Sequence, residues 1–114
     1  MSIRTQRVGA EIRKVISQRL IRGLKTPLPG FVTISDVEVS GDLGVAKVFY
    51  SVFGTDDEVA EASRVLELEK KAIRHEVGQK VKLRLVPQLV LVRDDTPQRA
   101  ARISELLSDV KPEQ

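Results

Sequence analysis

The stretch FVTISDVEVSGDLGVAKVFYSVFG, residues 31–54, decides the fold of this 114-residue chain. Its two halves, residues 31–40 and 44–54, are rich in β-branched and aromatic residues, which favour extended strands. A polar turn around Gly41 separates the halves, so we predict an antiparallel hairpin. The apolar residues of the first half change phase part of the way along, which predicts a bulge or bend near Ser35.

A long helix is predicted before the hairpin, over residues 3–24. Its apolar side chains gather on one arc at helical spacing, and its basic side chains gather on a separate stripe. The helix should stop at Gly23, because the prolines of the following run TPLPG cannot continue it. The apolar arc consists of Val8, Ile12, Val15, Ile16 and Leu20.

A second helix is predicted to start after the hairpin, where Thr55 and Glu58 form a capping-box pattern. If this helix ran unbroken as far as Val77, Glu69 would lie at the centre of its apolar arc. A carboxylate in that position is costly when it has no partner. The pattern therefore predicts a kink that divides the helix after Leu68.

This kink should fall between Leu68 and Lys71, and the half that follows should end at a left-handed cap on Gly78. Residues 80–94 are predicted to form a third strand, which Pro87 places at a sheet edge or interrupts with a bulge. The helical crossover between the second and third strands makes these two strands parallel.

A last helix is predicted to open at Thr96-Pro97, where threonine caps the helix and proline takes its first position. Its inward residues are Ile103, Leu106 and Leu107. The order α-β-β-α-kink-α-β-α predicts an α+β fold with a three-stranded mixed sheet and helices on one face. We expect one domain over residues 1–114, with a flexible tail from about residue 109.

The composition argues against several classes of site. The chain has no cysteine, which excludes disulfides and thiolate metal sites, and His75 is its only histidine. Asp56-Asp57 or Asp94-Asp95 could hold Mg²⁺ for phosphoryl chemistry, although acids are also expected where helices begin. Neither a signal-peptide core nor a run of ~20 apolar residues is present. We expect a cytoplasmic protein with no cofactor, metal site or membrane partner.

Charge is segregated along the chain although the net charge is only +3. Residues 1–25 hold seven basic groups and one acid, residues 36–69 hold two basic groups and nine acids, and residues 70–84 hold six basic groups and one acid. Such segregation can present a one-sided field to a polyanion, although solvated helix faces would give the same pattern. The candidate RNA-binding residues are Arg7, Lys14, Arg22, Lys25, Lys70, Lys71, Arg74, Lys80, Lys82 and Arg84.

Aromatic residues are scarce, which limits base stacking. The full supply is Phe31, Phe49, Tyr50 and Phe53. Lysine and arginine contacts to phosphates position a protein on nucleic acid without reading bases. We therefore expect recognition of the shape and backbone of folded RNA.

Short motifs over residues 4–108 match one family in order and spacing. They are Gln6-Arg7-Val8, Pro27, Gly30, Val32-Thr33-Ile34, Val37-Glu38-Val39-Ser40, Asp42-Leu43, Ala46-Lys47-Val48, Ile73-Arg74, Gly78, Leu83-Arg84-Leu85-Val86-Pro87, Leu89 and Asp95. The chain thereby resembles ribosome-binding factor A, the bacterial small-subunit assembly factor.

The resemblance implies a type II KH fold and a monomer that binds 16S rRNA in the immature 30S subunit. It also implies a role in late maturation, rRNA processing and cold adaptation, without enzymatic activity or a small-molecule substrate. This chain departs from the family at three places: Glu69-Lys70-Lys71 replaces the usual Ala-x-Gly kink, Gln88 replaces a glutamate, and Leu28 replaces an arginine. The two lysines would make the kink more attractive to phosphate.

Two other functions stay open at this point. The chain could be a protein interaction module whose acidic hairpin and second helix dock a basic partner. It could also be a metal-dependent phosphoryl enzyme that uses Asp94 and Asp95.

Overall fold

The computed structural model describes residues 2–94, which form two helices and three strands. The predicted last helix from Thr96 and the predicted tail lie outside the described residues. The five elements are α1 (Ile3–Arg22), β1 (Phe31–Val39), β2 (Val45–Phe53), α2 (Asp56–Lys80) and β3 (Gln88–Arg93). The α+β fold with a three-stranded mixed sheet is confirmed.

The sheet has the order β1-β2-β3, with β1 antiparallel and β3 parallel to the central strand. Both the predicted hairpin and the predicted parallel crossover are therefore confirmed. The register of β1 against β2 shifts between Ile34 and Asp36, which is the predicted bulge. Within it, the Ser35 hydroxyl donates to the Phe49 carbonyl at 3.2 Å, so the extra residue gains a partner on the neighbouring strand.

The core lies between one face of the sheet and the two helices. Helix α1 packs mainly on β1, while α2 packs on β3 and β2. Of the predicted apolar arc of α1, Val8, Ile12, Val15 and Ile16 are buried and Leu20 is partly buried. Each large apolar side chain buried in this way contributes about 1.5–3 kcal/mol to folding.

Helix α2 is one unbroken helix from Asp56 to Lys80, so the predicted division between Leu68 and Lys71 was wrong. The prediction assumed that Glu69 would have no partner inside the core. Glu69 is buried, but the hydroxyl of Thr26 donates to its carboxylate at 3.3 Å. Because the connector after α1 supplies this partner, the helix continues through the position.

The predictions for Gly78 and for the third strand also needed correction. Gly78 lies inside α2, whose C-cap is Val81, and an added Cβ at Gly78 would stand 2.7 Å from Val86 Cγ2. Gly78 therefore allows the close approach of Val86 and does not form a left-handed cap. Residues 81–87 are not a strand, and β3 begins only after Pro87. Lys82 and Arg84, which fall in the predicted strand over residues 80–94, therefore do not lie on a strand.

Candidate nucleic-acid interface

The surface along which α1 meets α2, here called the seam, is organised around the Glu76 carboxylate. This carboxylate accepts hydrogen bonds from the guanidinium groups of Arg19 and Arg22 on α1, and Lys80 Nζ lies 3.2 Å from Glu76 Oε2. The Glu76 side chain is only 9% exposed. The Arg19 hydrogen bond is the main cause that lowers the pKa of Glu76 to about 2, so the carboxylate is ionised at neutral pH.

A groove of about 800 Å³ lies at one end of the seam, between the first half of α1 and the end of α2. Four candidate residues line it: Arg7, Lys14, Lys80 and Lys82. Their charges surround a floor that includes Val8, Val15 and Val81, together with one acid, Glu11. Residues that are far apart in sequence therefore face the same groove.

A second groove of about 720 Å³ lies beside the Glu76 cluster, where the end of α1 meets the second half of α2. Arg22, Lys71 and Lys80 line it, with the exposed His75 next to them. Because Lys80 lines both grooves, the two adjoin. The seam thus gathers six candidate cations on one side of the molecule: Arg7, Lys14, Arg22, Lys71, Lys80 and Lys82.

The other candidates are placed differently. The guanidinium of Arg74 donates to the carbonyls of Pro87 at 3.0 Å and Val86 at 2.7 Å, so this residue ties the segment before β3 to α2. Lys70 pairs with Glu67 at 3.2 Å on the surface, a contact that contributes little. The remaining two, Lys25 and Arg84, are exposed and line neither groove.

Sequence reasoning missed Arg19 and Glu76. On a helical projection Arg19 falls inside the apolar arc of α1, between Val15 and Ile16, which is a signal that could have found it. A cation on a core-facing arc requires a carboxylate from a neighbouring element. The Arg19 side chain is 23% exposed, in agreement with its position on the core-facing arc.

The acidic segment of the sequence does not form one surface. The hairpin turn and the start of α2 lie at opposite ends of β2, so the acids of the two places are separated by the length of a strand. In the turn, the Gly44 N–H and the Ser40 hydroxyl donate to Asp42 and lower its pKa. At the start of α2, Thr55 and Glu58 complete the predicted capping box.

Metal and membrane sites are limited by two findings. Within residues 2–94, no group of three or more histidine, cysteine, aspartate or glutamate side chains is placed to hold a metal ion. Asp95, half of one predicted Mg²⁺ pair, lies outside the described residues. In the same part of the chain, neither helix has the length and apolar character that crossing a membrane requires.

Comparison with known proteins places this geometry in a family context. The family model described as ribosome-binding factor A matches residues 4–107. The chain is similar to the ribosome-binding factor A of Brevibacillus brevis, at 44% identity over 96% of this chain and 91% of the relative. It is 39% identical to that of Clavibacter michiganensis over 95% of this chain, but spans only 65% of that relative's length.

A set of coordinates fitted into a cryo-EM map shows the same fold. It is a homology model of Thermus thermophilus ribosome-binding factor A, fitted into a cryo-EM map of a 30S complex of that protein. The TM-score is 0.64 at 20% identity, over 79% of this chain and 94% of the other. At this level of identity the similarity supports the architecture alone.

Proposed function

The chain belongs to the ribosome-binding factor A family, and from this premise we propose that it binds 16S rRNA in the immature 30S subunit. Binding would occur through the seam, with residues 1–114 acting as one RNA-binding domain. The bound factor would assist late maturation of the small subunit and rRNA processing. Shared family membership, and not the structural similarity, is the reason we extend to this chain the particle of the Thermus thermophilus protein, whose homology model was fitted into a map of a 30S complex.

The observation that carries the proposal is the gathering of cations along the seam. Arg7 and Lys14 reach it from α1, Lys71 reaches it from α2, and Lys80 joins the two grooves. Cations at the ends of long side chains suit contacts with phosphate oxygens, which hold a protein on RNA without reading its bases. The grooves offer no Phe, Tyr or Trp side chain, and His75 is the one ring that lines them, so we infer recognition mainly through the RNA backbone.

The remaining parts of the proposal follow from the family. We infer a binding factor that acts as a monomer in the cytoplasm, without catalysing a reaction, and that supports growth in the cold. Two acids of the described residues have structural roles, because Glu58 caps α2 and Asp42 holds the hairpin turn.

The test is the salt dependence of binding to purified 30S precursors. If about six phosphates are contacted, affinity should fall by roughly three decades between 50 and 200 mM salt. The double variant Lys14→Gln/Lys71→Gln removes one cation from each groove. The negative slope of log affinity against log salt should become shallower by about two. Binding that ignores salt would contradict the proposal.

A matched control removes two positive charges elsewhere. Lys47 lies on the open face of the sheet and Arg64 on the exposed side of α2, and neither lines a groove of the seam. The variant Lys47→Gln/Arg64→Gln should keep the wild-type slope. Equal losses in both double variants would mean that net charge, and not the seam, governs binding.

A further inference from the structure

Apolar side chains are exposed at the end of the sheet where α2 begins. Phe31 and Phe53 lie directly opposite each other on β1 and β2, and they are 64% and 43% exposed. They lie in the same phase as Thr33 and Ser51, opposite to the phase of the core residues Ile34 and Val52. Ile21, which is 84% exposed, lines a groove of about 510 Å³ together with Phe31 along the free edge of β1, and Arg13 is the one charged residue of that groove. The apolar surface therefore continues around that edge.

Three acids border this apolar surface. Helix α2 starts shortly after Phe53, and its first turn consists of Asp56, Asp57 and Glu58. The Glu58 carboxylate accepts from the Thr55 N–H at 2.8 Å, which holds it near the end of β2. An added Cβ at Gly30, the residue before Phe31, would stand 3.7 Å from Glu58 Cβ. We call Phe31, Phe53, Ile21 and these three acids the end patch.

The chemistry of the end patch discriminates among possible occupants. The three carboxylates of this first turn repel phosphates, so RNA is disfavoured. A second copy would bring the same acids against one another across a two-fold interface. The last 20 residues of the chain, 95–114, carry four acids and three basic groups, a net charge of −1, so as a whole they complement the acids of the patch less well than a basic segment does. A basic segment with apolar side chains satisfies both features of the surface.

We propose that the end patch docks a basic polypeptide segment with apolar side chains, contributed by a protein of the 30S particle. This inference rests on the proposed function, because it places the partner on the same particle. The seam would contact rRNA while the end patch, which lies at the sheet end where β1 begins, would contact protein. Aromatic side chains, phenylalanine among them, are enriched at the cores of such interfaces.

The test compares two probes, 30S precursors and protein-free 16S rRNA, with the full-length double variant Phe31→Ser/Phe53→Ser. Affinity for the 30S precursors should fall about tenfold or more, as loss of interface aromatics commonly causes. Affinity for the free rRNA should stay within about twofold, because the rRNA contacts of the seam are unchanged. The variant Asp56→Asn/Asp57→Asn should show the same selectivity with a smaller loss, since rim charges contribute less.

The matched control is Leu85→Ser. Leu85 is 80% exposed and lies shortly before Gln88, which pairs with Val45 at the opposite end of the sheet. This variant should bind both probes like the wild type. A thermal melt of each variant separates loss of binding from loss of folding, and the exposed positions make wild-type folding the expected result.

Three results would overturn the inference. An equal loss on free rRNA would assign the end patch to RNA, and unchanged affinity for both probes would show that it docks nothing. Concentration-dependent sedimentation of the free protein, abolished by Phe31→Ser/Phe53→Ser, would assign it to a second copy. A different result would contradict the rRNA-binding role proposed for the seam, namely a wild type that binds 30S precursors but not free rRNA.

Discussion

The seam and the end patch are both charged surfaces, but different kinds of contact fix their charged side chains. In the seam, the cations of α1 and α2 converge on Glu76, which is more than 50 residues away from Arg19 and Arg22 in sequence. In the end patch, Glu58 is fixed by a capping box with Thr55, three residues away. A tertiary contact therefore shapes the basic surface, and a local contact shapes the acidic one. The two surfaces should respond differently when their anchoring carboxylates are changed.

The largest expected effect comes from Glu76→Gln. Removing the carboxylate leaves Arg19, Arg22 and Lys80 close together without a counter-charge, and removing one partner of a buried ion pair costs about 3–5 kcal/mol. Because Arg22 and Lys80 are about half exposed, we expect a loss of about 3 kcal/mol, at the lower end of that range. The free energy of unfolding from urea titration at pH 7 measures it.

The matched control is Glu58→Gln at the end patch. Glutamine can still accept the Thr55 N–H and so keeps the capping box, and a change below about 0.5 kcal/mol is expected. Similar losses for Glu58→Gln and Glu76→Gln would show that the seam does not depend on a buried charge.

The second prediction concerns the pH dependence of stability. The pKa of Glu76 is lowered from 4.5 to about 2 in the folded protein, so the folded state holds the ionised form more strongly than the unfolded state does. This stabilisation is complete above the pKa that Glu76 has in the unfolded state, and it is lost as the pH falls from about 5 to about 2. The full shift corresponds to about 3 kcal/mol.

Urea titrations of the wild type and Glu76→Gln across this pH range measure the effect. Other carboxylates also titrate there, and Asp42 and Glu61 have lowered pKa values on the exposed surface. The difference between the two proteins isolates Glu76, and it should shrink as the pH falls. A difference that stays constant from pH 7 to pH 2 would contradict the assignment.

The third prediction separates a structural cation from the exposed cations of the seam. Arg74→Lys replaces a guanidinium that donates to two backbone carbonyls, those of Val86 and Pro87, with an ammonium that cannot reproduce the fork. We expect a loss of about 2 kcal/mol in the free energy of unfolding. Lys71→Arg, an exposed exchange on the same helix, should change stability by less than about 0.5 kcal/mol. Equal free energies of unfolding for the wild type and Arg74→Lys would mean that Arg74 does not hold the segment before β3.

The sequence predicted those features of the fold that local patterns determine. Strand composition identified the hairpin, the change of apolar phase identified the bulge near Ser35, and Thr55 with Glu58 identified the start of α2. A prediction that depended on the distant partner of one side chain was wrong. The division after Leu68 failed because the partner of Glu69 comes from the connector after α1.

The same distinction applies to the site. Periodicity predicted the basic stripe of α1, and six candidate cations line the seam. It could not show that Arg74 is engaged with backbone carbonyls, because this contact requires the segment before β3 to fold back on α2. Nor could it pair Glu76 with Arg19, since the antiparallel approach of the two helices is a property of the folded chain.

The smallest expected effect tests the local side of the comparison, with Thr55→Ala. The Thr55 hydroxyl accepts from the Glu58 N–H at 3.1 Å, and losing such a cap costs about 1 kcal/mol. Thr55→Ser keeps the oxygen and should be nearly neutral. Because the cap is local, Thr55→Ala should leave the difference between wild type and Glu76→Gln unchanged, so the two losses should add within about 0.5 kcal/mol. Strong coupling in the double variant would mean that the end patch and the seam are held by one shared network.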